Sequence, residues 1–300
     1  MPETVLLIHN CSAGNGEHNL GNLIGLIAQA GYSISAFSVD DDLNRILALP
    51  SNLIVVAGGD GTLKKVACKA SPDGAPLAIL PLGTANNVAR SLGISGSTAE
   101  LVSSWRTMRR RPFYRLRAEG PWGSASIIEG IGVGCIEHAI EEMASYKPGI
   151  EEAREWIGEA AWRADTEELE LWLDDEKLTG HFLLCELSNI PFIGPGLRLA
   201  PTANPSDRPI YASLLGGKDE DRNRFADWLR AGPTDEPPPV AVRSARRIML
   251  TAPLRRVRLN NHNWTAQPGC SDVSTVVVEA ETAPLHFLAP AATPLKERIG

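Results

Sequence analysis

The chain has 300 residues, of which 43% are hydrophobic and 22% charged, and its formal net charge at pH 7 is −7. This composition is typical of a globular protein and leaves room for two domains. The negative charge argues against nucleic acid as a partner, because that binding depends on neutralising phosphates. The five cysteines are scattered and no apolar stretch is long enough to span a bilayer, so we expect a cytoplasmic protein with reduced thiols.

The N-terminal third predicts alternating strands and helices. Apolar strands are expected at residues 5–8, 32–38, 53–57 and 77–80, and helical patterns separate them. A further helix is expected at residues 98–108. Strands that alternate with helices in this way form a mostly parallel sheet covered on both faces, so this region predicts a three-layer α/β domain.

Two glycine-containing turns follow consecutive strands: Gly58-Gly59-Asp60-Gly61-Thr62 and Pro81-Leu82-Gly83-Thr84-Ala85-Asn86. Such strand-to-helix turns expose backbone N–H groups at the positive end of a helix dipole, which suits a phosphate. Asp60 is the only acid in the first turn and suits a metal ion or an acceptor hydroxyl. One isolated turn would be explained equally well as a tight connection with Asp60 as a helix N-cap. Two such turns at neighbouring strand ends predict a ligand-binding crevice.

From residue 111 the pattern changes to alternating apolar and polar residues, which is typical of antiparallel strands. The strands extend to residue 288, and one of them is expected at 197–200. Helical insertions are expected at 136–162, with a break near Pro148-Gly149, and at 219–229. We therefore expect residues 1–110, joined by 286–300, to form the α/β domain, and residues 111–285 to form an antiparallel β domain.

These motifs resemble those of the diacylglycerol-kinase-like lipid kinases, which include soluble bacterial lipid kinases and sphingosine and ceramide kinases and are remotely related to the NAD kinases. Residues 58–62 match the nucleotide signature of that family, and residues 81–86 match its second motif. Asn10-Cys11-Ser12-Ala13-Gly14 is similar to its first loop. The stretch 199–207 is similar to one that ends at a metal-associated aspartate.

The resemblance implies an ATP-dependent lipid kinase that uses Mg²⁺ and transfers the γ-phosphate to a hydroxyl of a diacylglycerol-like lipid. It also implies that residues 1–110 form a nucleotide-binding domain and that residues 111–285 form a β-sandwich domain for the lipid acceptor. It implies that Asp60 is catalytic and that Asp207 lies where Mg²⁺ binds. The implied nucleotide-binding residues are Asn10, Ser12, Ser38, Gly58, Gly59, Asp60, Gly61, Thr62, Gly83, Thr84 and Asn86. The substrate would be a lipid at the inner face of the membrane. The protein would bind at that face as a peripheral protein, without crossing the membrane. We expect no nucleic-acid partner and no transmembrane segment, and a homodimer stays open.

Several acidic positions of the family pattern are replaced in this chain. Lys64-Lys65 stand where the family has Asn and then Glu, Asn87 replaces an Asp, and Arg208 replaces the Gly after the metal aspartate. The family motif Asp-Gly-Glu, whose Glu is assigned as the acid/base, corresponds here to residues 260–263, which contain no carboxylate. Loss of a general base typically costs about 10²–10⁴-fold in rate. The alternative is therefore a weakened or inactive relative that binds nucleotide or lipid without turnover, and an NAD-kinase-like enzyme is a third hypothesis.

A set of arginines on two strands that we expect to be adjacent allows two interpretations. They could form a basic face toward anionic lipid, or a solvated face paired with the many acids of the chain. They are Arg243, Arg246, Arg247, Arg255, Arg256 and Arg258.

Overall fold

The computed structural model describes residues 3–11, 19–142, 146, 148–233, 236–267 and 273–291. The chain divides into two compact units. The first unit comprises Met1–Phe113 and Ala283–Gly300, and the second comprises Tyr114–Thr282.

The described residues form strands and helices in the following order. The strands are β1 (Thr4–His9), β2 (Ser33–Ser38), β3 (Leu53–Gly58), β4 (Leu77–Pro81), β5 (Arg109–Phe113), β6 (Leu116–Gly120), β7 (Gly123–Ile127), β8 (Ile131–Gly134), β9 (Glu167–Leu173), β10 (Glu176–Ser188), β11 (Ile210–Gly216), β12 (Ala241–Ala245), β13 (Arg247–Ala252), β14 (Arg256–Leu259), β15 (His262–Thr265), β16 (Ser274–Ala280) and β17 (Leu285–Ala289). The helices are α1 (Leu20–Gln29), α2 (Leu43–Leu47), α3 (Asp60–Ala67), α4 (Asn87–Ser91), α5 (Thr98–Ser104), α6 (Cys135–Glu142), α7 (Ile150–Arg163) and α8 (Asp219–Ala231).

The first unit contains a six-stranded sheet with the order β2-β1-β3-β4-β17-β5. The pairs from β2 to β17 are parallel, and β5 runs antiparallel to β17. Every residue of β3 is buried, as its uninterrupted apolar sequence predicts for a strand covered on both faces. Strand β17 comes from the far end of the chain, and its Phe287 ring lies 5.2 Å from the Phe113 ring of β5, measured between centroids.

Short side-chain caps fix where the helices of this unit begin. The Asn19 side chain accepts a hydrogen bond from the Gly21 amide at the start of α1. Ser97 and Glu100 form a reciprocal capping box at the start of α5. Helix α5 ends at Ser104, before the expected end at residue 108. With their first amides capped, α1 and α5 bury their apolar residues, which include Leu23 and Ile27 of α1 and Leu101 of α5.

The described residues of the second unit form eleven strands in one antiparallel sheet. The 13-residue strand β10 pairs with β9 along its first half and with β8 and β11 along its second half. Inward side chains from ten of these strands share one apolar core, so the sheet curls around that core. This confirms the expected fold class of an α/β domain followed by an antiparallel β domain, with the two faces of the expected sandwich joined in a continuous sheet.

Three helices pack on this sheet and form a second core with it, in which Ile157 and Phe225 are fully buried. Helix α6 ends at Glu142 and α7 begins after Gly149, so the break expected near Pro148-Gly149 is confirmed. The strand expected at 197–200 is wrong. That segment has only an isolated bridge between Ile193 and Leu197, because the chain turns tightly at glycines with positive φ. Within the described ranges, no helix is long and apolar enough to cross a bilayer.

Candidate functional site

Four parallel strands of the first unit end at one edge of the sheet. His9 is in register with both Ser38 and Ala57, and Gly58 is in register with Pro81. The segments that follow these strands therefore start side by side, as expected at the carboxyl edge of an open parallel sheet. Most of the predicted nucleotide-binding residues lie in these segments, while Ser12 lies outside the described residues.

The first glycine turn passes directly from β3 into α3. Gly59 is the N-cap residue of α3, and no side chain caps the helix in the part of the chain that is described. A Cβ atom on Gly58 would lie 2.5 Å from Thr62 Oγ1, so glycine is what lets Thr62 close onto the end of the strand. Asn10 Nδ2 donates a 3.0 Å hydrogen bond to the same hydroxyl. Thr62 is buried and ties the β1 loop to α3, while the first amides of the helix carry the positive end of its dipole.

The two glycine turns are in backbone contact. A Cβ atom on Gly83 would lie 2.5 Å from the Cα atom of Gly59, and one on Gly59 would lie 3.0 Å from the Cα atom of Gly83. The amide of Leu82 donates a 3.0 Å hydrogen bond to the carbonyl of Gly58. The sequence predicted that the turns would line one crevice, and the structure brings them together.

Asn86 closes the second turn through its side chain. It has a φ of 50°, in the left-handed region that Asn tolerates better than most residues. Its Oδ1 accepts from the amide of Gly83 at 3.0 Å, and its Nδ2 donates to the carbonyl of Gly83 at 2.6 Å. Asn86 thus shapes the backbone of the turn, whereas Thr84 at the tip of the turn is exposed.

Asp60 links the first turn to the helix after the second turn. Its Oδ1 accepts a 3.3 Å hydrogen bond from the Val88 amide in the first turn of α4. Burial raises the pKa of Asp60, and hydrogen bonds from backbone amides near Asn87 oppose that rise. The carboxylate is half-buried and caps α4. The sequence interpretation had Asp60 as an N-cap of α3, the helix in which Asp60 itself lies.

Arg90 is a charged neighbour of this carboxylate that the sequence interpretation missed. Burial lowers the pKa of Arg90, and the charge of Asp60 opposes that shift. The only sequence signal was its position, one helical turn after Asn86 on a helix that starts at the site.

Ser38, Asp40 and Lys65, at the β2 side of this sheet edge, interact with one another. Ser38 Oγ accepts a 3.2 Å hydrogen bond from the Asp40 amide and so holds the turn after β2. Lys65 Nζ lies 2.9 Å from Asp40 Oδ1, in an exposed ion pair that contributes at most about 1 kcal/mol. The replacement of a family acid by Lys65 therefore adds a surface ion pair beside the turns.

The predicted metal residue Asp207 belongs to the second unit and is exposed. Its Oδ2 accepts a 2.9 Å hydrogen bond from Asn204 Nδ2. Among the described residues, no group of three or more His, Cys, Asp or Glu side chains could hold a metal ion. A single carboxylate that is partly engaged does not fit a protein-only metal site, although Mg²⁺ needs only one or two carboxylates when it is bound with nucleotide phosphates. Asp207 as a Mg²⁺ ligand stays a prediction.

The β14–β15 hairpin holds the segment that replaces the family acid motif. Asn260 has a φ of 57° and is buried, and its Oδ1 accepts from the amides of Ile128 at 2.8 Å and Glu129 at 3.1 Å. This Asn therefore has a structural role, while His262 is exposed.

The expected arginine face is wrong in two respects. Strand β13 pairs with β9 and β16, whereas β14 pairs with β8 and β15, so the two arginine-bearing strands are not adjacent. Arg258 is 1% exposed and forms an ion pair with Glu186, which is equally buried. The alternation of charged and apolar residues on β14 did not reveal that Arg258 points inward, because its buried partner comes from a distant strand.

Comparison with known proteins finds relatives among the lipid kinases. Residues 4–115 match the family described as the diacylglycerol kinase catalytic domain. A Pseudomonas aeruginosa (strain UCBPP-PA14) protein named probable lipid kinase YegS-like is 39% identical over 99 residues, or 31% of this chain and 32% of that protein. The family model and this relative support a diacylglycerol-kinase-like lipid kinase family for this chain. The alignment thus spans about a third of the length of this relative.

Two further comparisons cover most of the chain. A Klebsiella pneumoniae (strain 342) protein, also named probable lipid kinase YegS-like, is 24% identical over 230 residues, which cover 73% of this chain and 75% of that protein. The crystal structure of a diacylglycerol kinase from Bacillus anthracis str. Sterne has a TM-score of 0.67 at 16% identity, covering 96% of this chain and 97% of that chain. This last similarity shows that the two chains share a fold.

Proposed function

We propose that this lipid kinase homologue is an ATP-dependent enzyme that transfers the γ-phosphate to a hydroxyl of a diacylglycerol-like lipid. The observation that supports this most is the contact between the two glycine turns beside the uncapped start of α3. Glycines that touch each other leave main-chain N–H groups without shielding side chains, which suits a polyphosphate.

In this proposal the lipid oxygen forms a bond to the γ-phosphorus, the bond from the γ-phosphorus to the β,γ-bridging oxygen breaks, and ADP leaves. The proton of the lipid hydroxyl passes to a base, and Asp60 is the acid of the first turn that could accept it. Such transfer depends mainly on positioning and charge neutralisation. Mg²⁺ bound with the nucleotide would supply part of that neutralisation.

The alternative, nucleotide or lipid binding without turnover, is favoured by one observation. The hairpin that replaces the family acid motif carries no carboxylate, and its buried Asn260 is committed to the amides of Ile128 and Glu129. If the protein is an active kinase, it lacks the acid/base that the family motif supplies. Its turnover should therefore depend more strongly on Asp60 than turnover in its relatives does.

The test is transfer of label from γ-labelled ATP with Mg²⁺ to diacylglycerol in mixed micelles. Asp60→Asn should reduce transfer by at least about 10²-fold, within the range of a lost general base. Asp73→Asn is the matched control, because Asp73 is exposed and precedes β4 at the opposite edge of the sheet. ATP binding without label in any lipid would support the alternative, and absence of both ATP binding and transfer would contradict the proposal.

A further inference from the structure

Four arginines lie within six residues of the first unit, between the end of α5 and the middle of β5. They are Arg106, Arg109, Arg110 and Arg111. In the described part of the chain none of them forms an ion pair, although the sequence has 36 acidic residues and only 29 Lys and Arg. These four residues therefore carry positive charge that no described carboxylate neutralises.

Two of the four arginines bind carbonyl groups at the ends of helices. Arg106 Nη2 donates a 3.2 Å hydrogen bond to the carbonyl of Ala30, the C-cap residue of α1. Arg111 Nη1 donates a 3.0 Å hydrogen bond to the carbonyl of Leu92, the C-cap residue of α4. A cation is favourable at the C-terminus of a helix, so Arg106 and Arg111 have a structural role.

Arg109 and Arg110 have no such partner among the described residues, and both are exposed. Strand β17 places Ala289 opposite Arg109 and Leu288 opposite Arg110, so their neighbours across the sheet are uncharged. On its other side β5 pairs with no strand, because it is the last strand of the sheet. The charges of Arg109 and Arg110 are therefore open to a partner from solution.

Protection of an edge strand does not by itself account for these arginines. Charged side chains on an edge strand keep it from pairing with another chain. Strand β2 is the opposite edge strand of the same sheet, and its six residues carry no charge. If protection from pairing were the only requirement, we would expect charges on both edge strands.

The two exposed arginines lie at the same end of the sheet as the glycine turns. Strand β17 is parallel to β4, so both strands run toward the carboxyl edge of the sheet. Strand β5 is antiparallel to β17, and Arg109, its first residue, is in register with Ala289, the last residue of β17. Arg109 and Arg110 therefore lie toward the carboxyl edge, two strands away from β4 and the second glycine turn.

We propose that Arg109 and Arg110 dock the protein on an anionic lipid surface, beside the phosphate crevice. The choice of a lipid surface rests on the proposed function, because a lipid kinase meets its acceptor in a membrane. Each basic residue near an anionic bilayer strengthens binding about fivefold. A chain with a net charge of −7 is repelled by such a bilayer as a whole, so its approach requires a local basic surface of this kind.

The test is co-sedimentation of the full chain, without ATP, with vesicles of equimolar phosphatidylcholine and phosphatidylglycerol or of phosphatidylcholine alone. We expect at least about tenfold tighter binding to the anionic vesicles, and loss of this difference at high salt. The double variant Arg109→Gln/Arg110→Gln should bind the anionic vesicles at least about tenfold more weakly, whereas Arg109→Lys/Arg110→Lys should bind normally. Arg243→Gln/Arg246→Gln is the matched control, because it removes two exposed arginines of the second unit and gives the same net charge.

Equal binding to both kinds of vesicle, or unchanged binding of the folded glutamine variant to anionic vesicles, would overturn the docking proposal. An equal loss of binding in the matched control would also overturn it, since the net charge alone would then decide binding. The assay contains no ATP, so its failure leaves the kinase proposal to the transfer assay in micelles. Absence of transfer in micelles would equally leave the vesicle result as it is.

Discussion

Two carboxyl groups with raised pKa values define the chemistry of this chain at the scale of single residues. Asp60 is half-buried and remains stabilised by backbone amides of α4, so burial and hydrogen bonding oppose each other. Glu137 is fully buried next to a second acid, and its nearest guanidinium group is already paired with Glu186. Backbone amides thus offset the effect of burial at Asp60, whereas Glu137 holds a proton at neutral pH.

The proton on Glu137 predicts a dependence of stability on pH. Its pKa is about 8 in the folded chain and near 4.5 when exposed, so the folded state binds more protons between these values. The free energy of unfolding should fall as pH rises from about 4.5 to 8, at up to about 1.4 kcal/mol per pH unit. Glu137→Gln should make this slope shallower and stabilise the protein at pH 8, while Glu186, whose pKa burial also raises, keeps part of it.

Chemical denaturation at pH 5, 6.5 and 8 would measure this effect. Glu142→Gln on the same helix removes an exposed acid and should leave the slope as it is. A slope that is equally steep in Glu137→Gln would show that another group holds the proton.

The cap that Asp60 provides predicts different effects of two substitutions. Asparagine can still accept a hydrogen bond from the Val88 amide, so Asp60→Asn should keep nearly all of the stability. Asp60→Ala leaves the start of α4 without its cap and should cost about 1 kcal/mol. Thermal unfolding compares the two, and equal losses in both variants would contradict the capping role.

At the scale of elements, the site is built by two turns that only glycine allows to meet. The backbone contact of Gly59 with Gly83 brings the end of β3, the start of α3 and the second turn together. Asn86 then fixes the second turn through its side-chain Oδ1 and Nδ2 atoms, which both bond to the backbone of Gly83. A substitution that moves the backbone of one turn should therefore also move the backbone of the other.

Gly83→Ala tests this coupling. Its Cβ atom would lie 2.5 Å from the Cα atom of Gly59, and since that neighbour is backbone, the turns must move apart. We expect a loss of about 1–3 kcal/mol, as for other overpacked sites, and at least tenfold weaker ATP binding. Gly25→Ala in α1 is the matched control, because nothing lies within 4 Å of its added Cβ atom and the helix should gain up to about 1 kcal/mol. Unchanged unfolding and ATP binding in Gly83→Ala would contradict the contact.

The sequence predicted the elements whose signals are local. The apolar runs of β3 and β4 and the glycines after them specify strands and turns within a few residues, so both turns were placed correctly. The burial of Arg258 and the pairing of Asp60 with α4 depend on distant segments, and no local pattern encodes them. The strand expected at 197–200 failed because tight glycine turns nearby override the apolar pattern.

At the scale of the whole molecule, the two units differ in how the chain builds them. The second unit is one continuous stretch with its own curled sheet and core. The first unit needs β17 between β4 and β5 to complete its sheet, so its N-terminal part alone lacks an inner strand.

This difference predicts that residues 114–282 fold when expressed alone. A chain segment with its own closed core should retain strand-rich circular dichroism and unfold cooperatively. Residues 1–113 without β17 should instead show weak or non-cooperative unfolding, because an inner strand of the sheet is missing. A disordered 114–282 fragment would contradict the division into units.

The central claim is that the amides of residues 59–62 and 83–84 bind the phosphates of ATP. Hydrogen–deuterium exchange of the full chain, with and without ATP and Mg²⁺, tests it most directly. We predict slower exchange in the peptides that contain these two turns, and no such change in Gly83→Ala. Protection by ATP that is confined to other segments, with exchange at both turns unchanged, would contradict the claim.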